Sequence, residues 1–175
     1  MPITKTSQIS TKTGDKGESR NFVNQVFSKD DILFELLGTM DELSSFLGLF
    51  YHHHELEVIK MIQRSLQDIN ALIATDPNHV LYKKLKPFDP AQTEMLESLM
   101  GVILERHPLE PVFTLPGSET SKAGAYCDVA RTIARKAERR FVAFLRATER
   151  TDLEGPLSYL NRLSDYLFVL ARSFA

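Results

Sequence analysis

Two stretches of this chain carry residue types suited to holding a polyanion. The first, Thr11-Lys12-Thr13-Gly14-Asp15-Lys16-Gly17-Glu18-Ser19-Arg20, interleaves hydroxyls, cations and glycines. Glycine lets backbone N–H groups approach a polyphosphate, hydroxyls add donors, and Lys or Arg neutralises charge. It is not a Walker A loop, since Gly17 is followed by Glu18-Ser19 rather than by Lys and a hydroxyl residue. A flexible polar terminus is the other reading of the same residues. The second stretch sets Arg131, Arg135 and Arg139 four apart, which places three guanidiniums on one helix face. Such a row repels itself unless carboxylates or phosphates lie between its members. It reads either as an anion site or as a solvated basic face tied by salt bridges. A nucleic-acid stripe fits less well, because no aromatic platform or second basic surface accompanies it.

Near the C-terminus Asn161, Arg162 and Asp165 sit beside an apolar stripe, and Asp41-Glu42 interrupts an earlier one. These acids could neutralise the arginines, or they are ordinary surface polarity. Other apparent signals carry less. His52-His53-His54 suggests a metal tag, yet adjacent residues on a helix point in different directions. A di-iron centre in a helical bundle needs Glu-x-x-His pairs on core faces, and the sequence has none. No metal-ligating set is therefore expected. Cys127 lacks a matched partner and reads as a small buried residue.

A formal net charge of −2 over 175 residues gives no global attraction to nucleic acid or an anionic membrane, so anion recognition must be local. A single cysteine fits a reducing compartment. No apolar run reaches membrane-spanning length, and Met1 to Lys16 lacks a signal-peptide core. The expected setting is cytoplasmic.

The elements that must position these residues are helices. Asp30 and Asp31 can cap a helix start, after which Leu36, Met40, Leu43, Leu47 and Phe50 recur at steps of four and three. Ile59, Ile62, Leu66, Ile69 and Ile73 repeat the spacing up to Asp76-Pro77. Asp89-Pro90-Ala91-Gln92 reads as a helix start with Gln92 reaching back in a capping box, and Leu96, Leu99 and Ile103 follow. Residues 109–117 read as an ordered loop, too apolar to be floppy. Thr120 to Ala147 predicts a long helix burying Tyr126, Ala130, Ile133, Ala137, Phe141 and Phe144. After Gly155-Pro156 a last stripe runs through Leu160, Leu163, Leu167, Leu170 and Phe174. No strand is expected, and the pattern predicts an all-α bundle of four or five near-parallel helices.

The blocks Thr11 to Gly17, Lys29-Asp30-Asp31, Gly38 to Ser45, Phe113-Thr114-Leu115-Pro116-Gly117, Ala130-Arg131-Thr132, Arg135 to Arg139 and Tyr159 to Phe168 occur in that order. Together they resemble the ATP:cob(I)alamin adenosyltransferase family of the propanediol-utilisation type, which includes the human mitochondrial enzyme. The resemblance covers about Ser10 to Arg172. It implies a homotrimer of five-helix up-down bundles, ferritin-like in architecture, with ATP between neighbouring subunits. It divides the chain into a nucleotide-binding segment, 1–28, and a bundle domain, 29–175. By the same resemblance, Thr11, Lys12, Thr13, Gly14, Asp15, Lys16, Ser19, Arg20 and Lys29 would wrap ATP. Arg135, Lys136, Glu138 and Arg139 would meet it from the fourth helix and Asn161 from the fifth. Asp41 and Arg131 match a pair bridged across the subunit interface. Phe113 matches the aromatic closing the lower face of cobalamin, with Arg162 and Asp165 in the corrinoid site.

The implied reaction joins the 5′-deoxyadenosyl group of ATP to cobalt, with Mg²⁺ as cofactor and cobalamin as substrate. Cobalt(I) is already a strong nucleophile, so the protein must align C5′ with it and stabilise the leaving triphosphate. An apolar pocket around Phe113 would ease reduction by removing the lower axial ligand. A flavoprotein reductase and a cobalamin-dependent mutase or dehydratase are the implied partners, and neither nucleic acid nor membrane is among them. The chain departs from the family pattern at Val23-Asn24-Gln25-Val26, where many relatives have Gly-Gly-x-Arg, at Ser118 in place of a frequent glycine, and at Lys136 in place of a frequent arginine. The alternative function is a catalytically weakened member that binds ATP or corrinoid as carrier, sensor or assembly factor, and a plain helical interaction module stands third.

Overall fold

Helix α1 (Ile32–His53) starts where the Asp31 carboxylate accepts the Leu33 N–H at 2.8 Å, the expected cap. In the computed structural model, which describes residues 2–10, 12–118 and 121–174, four more helices follow: α2 (Glu57–Ile73), α3 (Ala91–Arg106), α4 (Lys122–Thr148) and α5 (Glu154–Arg172). Thr11 and Thr120 lie outside the described residues. The stripes at steps of three and four become the core. Leu36, Met40, Leu43, Leu47 and Phe50 of α1 are fully buried, as are Ile59, Ile62 and Ile69 of α2. Each such side chain contributes roughly 1.5–3 kcal/mol relative to exposure.

Cross-helix contacts fix the directions. Glu35 and Glu42 of α1 meet Arg140 and Lys136 of α4, and Glu138 and Asp128 of α4 meet Asn161 and Arg172 of α5. Both pairs are antiparallel. So are α1 and α2, through Gln63 Nε2 on the Ser44 carbonyl and the Tyr51 hydroxyl on Glu57. Helix α3 runs beside α5 in the same direction, since Phe88 packs on Tyr159 and Glu97 meets Arg162. The five helices alternate up and down. At the start of α5 a Cβ on Gly155 would lie 3.0 Å from the Phe88 ring, so any larger residue would press that ring aside by a few tenths of an ångström.

Three expectations are corrected: the absence of strands, the Gln92 capping box and the buried stripe of α3. A two-stranded antiparallel hairpin, β1 (Glu18–Arg20) and β2 (Val26–Ser28), precedes the bundle with Ser19 opposite Phe27, so the chain is mostly helical rather than all-α. Three-residue strands are too short to show alternation. At α3 the Asp89 carboxylate does receive the Ala91 N–H at 3.0 Å, but Gln92 does not reach back: its side-chain oxygen is buried without a hydrogen-bond partner. Only Leu96 of that stripe is buried, because α3 packs chiefly on α5. The apolar loop before α4 is not covered by the chain itself: Val112, Phe113 and Leu115 are exposed. No helix among the described residues is long and apolar enough to cross a membrane.

Candidate functional site

The guanidinium row on α4 divides by what each side chain finds within the chain. Arg131 donates to Asp128 at 2.6 Å, is mostly buried, and shares that carboxylate with Arg172 at 2.7 Å. Burial alone would push the Asp128 carboxyl up, but the two guanidiniums outweigh it and hold it below the usual carboxylate range. Arg135 makes no ion pair among the described residues, and the Arg139 side chain reaches only the Arg135 carbonyl at 3.0 Å. Both are exposed. With Glu138, Val142 and Asn161 they line a recess of about 360 Å³. Asn161 donates to Glu138 at 2.8 Å, fixing that carboxylate so that it does not close on either arginine. The recess therefore presents two uncompensated planar cations, the donor set that suits phosphate oxygens.

The N-terminal segment forms a second recess, about 240 Å³, lined by Thr13, Gly14, Glu18, Ser19, Arg20 and Val26. The Gly14-Asp15-Lys16-Gly17 turn closes with the Gly17 N–H on the Gly14 carbonyl at 3.3 Å, and the Lys29 N–H binds the Gly17 carbonyl at 2.8 Å. The Lys29 ammonium crosses Gly14 so closely that a Cβ there would sit 2.9 Å from Nζ. The Lys29 ammonium thus lies against Gly14, a residue that lines the recess. Arg20 donates to the Asn24 carbonyl at 3.0 Å, while Lys12, Asp15 and Lys16 are exposed and do not line the recess. Thr11 lies outside the described residues.

Within one chain the two recesses share no lining residue, and other expected site residues are dispersed. Asp41 does not meet Arg131. It is exposed and lines a separate polar recess with Ser44, Lys60, Gln63, Arg64 and Asn70. Lys136 is tied to Glu42. Arg162 bridges Glu97 at 2.8 Å and Asp165 at 2.9 Å, cross-linking α3 to α5. Phe113 is 97% exposed, so no apolar pocket surrounds it among the described residues. The Leu115–Ser118 turn beyond it closes at 3.1 Å. Acids do neutralise part of the α4 row, but those on α1 reach Lys136 and Arg140, not Arg135 or Arg139.

Sequence reasoning missed Asp128, whose three- and four-residue neighbours on α4 include Arg131 and whose second partner, Arg172, is on α5. The i,i+3 spacing was the available signal. It also missed how Val23 to Val26 is accommodated. The Asn21 carboxamide oxygen accepts the Val23 and Gln25 N–H groups at 3.1 and 2.9 Å, and Asn24 takes the left-handed conformation, φ 64°. Asn tolerates that region better than most residues, so this hairpin turns without glycine.

The chain matches the family model described as cobalamin adenosyltransferase over residues 9–174. It is 40% identical to the corrinoid adenosyltransferase of Bos taurus, with 96% of this chain and 71% of that protein covered. It is 36% identical to that of Bacillus subtilis, with 94% and 85% covered. Among solved structures, a variant PduO-type ATP:corrinoid adenosyltransferase from Lactobacillus reuteri, complexed with cobalamin and ATP, superposes with a TM-score of 0.84. Its identity is 32%, and 94% of this chain and 89% of that one are covered.

Proposed function

The chain belongs to the cobalamin adenosyltransferase family, and on that premise we propose how its own residues perform the reaction. It transfers the 5′-deoxyadenosyl group from ATP to the cobalt of cob(I)alamin, giving adenosylcobalamin and triphosphate. The Co–C5′ bond forms as the C5′–O bond breaks, and the electron pair of that bond leaves with the triphosphate. Cobalt supplies the nucleophile, so the protein's share is alignment and stabilisation of the departing charge. The observation that carries the assignment of roles is the exposed, uncompensated pair Arg135 and Arg139 beside the fixed Glu138–Asn161 contact.

In this reading Thr11 to Lys16, Ser19, Arg20 and Lys29 hold one side of the nucleotide, and Arg135, Lys136, Glu138, Arg139 and Asn161 hold the other. Because the two recesses are separate within a chain, the complete site forms between the N-terminal segment of one subunit and α4 of the next, in a homotrimer. Asp41, which makes no ion pair among the described residues, meets Arg131 of a neighbour in this arrangement, and Asp128 keeps that arginine aligned. The exposed Val112-Phe113 loop then covers the lower face of the corrinoid, with Arg162 and Asp165 nearby. No cluster of three metal-ligating residues occurs among the described residues, so Mg²⁺ fits as a companion of the triphosphate rather than in a protein cage. It would supply charge neutralisation there, with Glu138 as the facing carboxylate. A cytoplasmic setting, a flavoprotein reductase and a cobalamin-dependent acceptor enzyme complete the proposal.

The test is anaerobic incubation with ATP, Mg²⁺ and chemically reduced cobalamin. The spectrum of adenosylcobalamin should appear, and its absence with folded protein would refute the assignment.

A further inference from the structure

The nucleotide-binding hairpin hangs from the last turn of α2, and that turn is held by an arginine outside both recesses. Helix ends leave carbonyls without intrahelical partners. At the end of α2 these are shared between two donors. Arg150, in the α4–α5 connection, donates from Nη2 to the Leu72 carbonyl and from Nη1 to the Thr75 carbonyl, both at 3.1 Å. Between them, the Ala74 carbonyl accepts the Phe22 N–H of the hairpin at 3.1 Å. One residue further, Asp76 accepts from Gln25 Nε2 at 3.1 Å. Hairpin and arginine are thus fastened to the same five-residue stretch, Leu72 to Asp76.

The arginine is itself locked. Its side chain is 8% exposed. Asp152 takes its Nε and Nη2 at 2.9 and 2.6 Å. Tyr82 lies under the guanidinium, 5.4 Å from ring centroid to Cζ, and donates its hydroxyl to the same carboxylate. Burial first, then Asp152, pushes the Tyr82 hydroxyl up to about 12, so it remains a donor at neutral pH. The ladder from Asn21–Gln25 to Glu18–Ser28 makes the hairpin one unit. Glu18, Ser19 and Arg20 of β1 and Val26 of β2 line the N-terminal recess, and Lys29 directly follows β2.

We propose that Arg150 is a positioning residue for ATP, setting the N-terminal recess through the last turn of α2 and the hairpin anchored on it. The proposal rests on the reading that this recess holds the nucleotide. Loss of one or two such bonds corresponds to an effect of about threefold to tenfold.

The test uses the full chain carrying Arg150→Ala, Gln25→Ala or both, assayed for steady-state kinetics and for amide hydrogen exchange over 18–28. Each single variant should raise the KM for ATP by about threefold to tenfold, leaving kcat and the KM for corrinoid within about twofold. Exchange over 18–28 should quicken in both. The double variant should be little worse than Arg150→Ala, since both act on one anchor. Gln25 is exposed, so Gln25→Ala decides the matter if Arg150→Ala fails to fold. A fall in Tm with hairpin exchange and ATP KM unchanged would overturn the proposal, as would independent, additive effects of the two substitutions. Absence of turnover in the wild type would refute the function reading alone, because hairpin exchange reports the anchor without any substrate.

Discussion

Arg150 and Arg135 are the same side chain put to opposite uses. Around Arg150 every guanidinium nitrogen finds an acceptor inside the chain, and the residue is nearly sealed from water. Around Arg135 none does among the described residues, because Glu138 is held by Asn161 and the carboxylates of α1 reach only Lys136 and Arg140. The role of a guanidinium follows from what its surroundings leave unsatisfied. A saturated one organises the fold, and an unsaturated one on a rigid helix is prepared for a ligand. Arg131 lies between the two, with its Nε on Asp128, and Arg139 belongs with the second.

Substitutions on either side should separate stability from activity. The largest effect is expected at the buried end: Asp128→Ala takes the shared carboxylate from two largely buried guanidiniums and should cost about 3–5 kcal/mol, read as a fall in denaturation midpoint. Its pH dependence follows from the depressed carboxyl. The stabilisation by Asp128 is complete above its unfolded value near 3.8 and is lost as pH falls through the lower folded value. Acid titration of the wild type and of Asp128→Asn should therefore converge only at low pH. Arg135→Ala should do the reverse, reducing turnover about a hundredfold, as loss of a charge-stabilising donor does, with stability within about 0.5 kcal/mol. Equal kinetics would mean that the row is only solvated surface.

Smaller effects sharpen the contrast. Phe113→Ala should leave Tm unchanged, since the ring touches little of its own chain, yet slow reaction from cobalt(II) about tenfold more than reaction from cobalt(I). Equal loss on both routes would contradict its role beneath cobalt. Glu149 ends α4 in the left-handed region, φ 53°, so Glu149→Gly should stabilise the chain by about 0.5–1 kcal/mol, measured as a rise in Tm.

The core was legible because burial imposes a period. In α1 and α2 the stripes at steps of three and four coincide with the sealed side chains, and Asp31 caps where its type and place imply. Legibility faded where no period exists. The hairpin is two strands of three residues, joined by a turn that depends on one Asn side chain and one left-handed Asn. Arg150 is a lone arginine in a connection, and its key acceptors are backbone carbonyls, which residue types do not reveal. For the site, spacing placed Arg131, Arg135 and Arg139 on one face, but it could not tell which of them the fold had already neutralised. That distinction depended on Asp128, Glu42 and Glu35, whose side chains reach across helices or along α4.

The central claim is that one nucleotide is gripped by the leading segment of one subunit and the α4 arginines of its neighbour. It is tested by complementation between Arg135→Ala, which spoils the helix side, and Lys29→Ala, which spoils the hairpin side. Each alone should be nearly inactive. Co-expressed in equal amounts, they should recover about a quarter of wild-type activity, the fraction of junctions that pair an intact segment with an intact row in a head-to-tail ring. Mixed oligomers that form but stay as inactive as either parent would show that the two halves of the site do not come from different subunits.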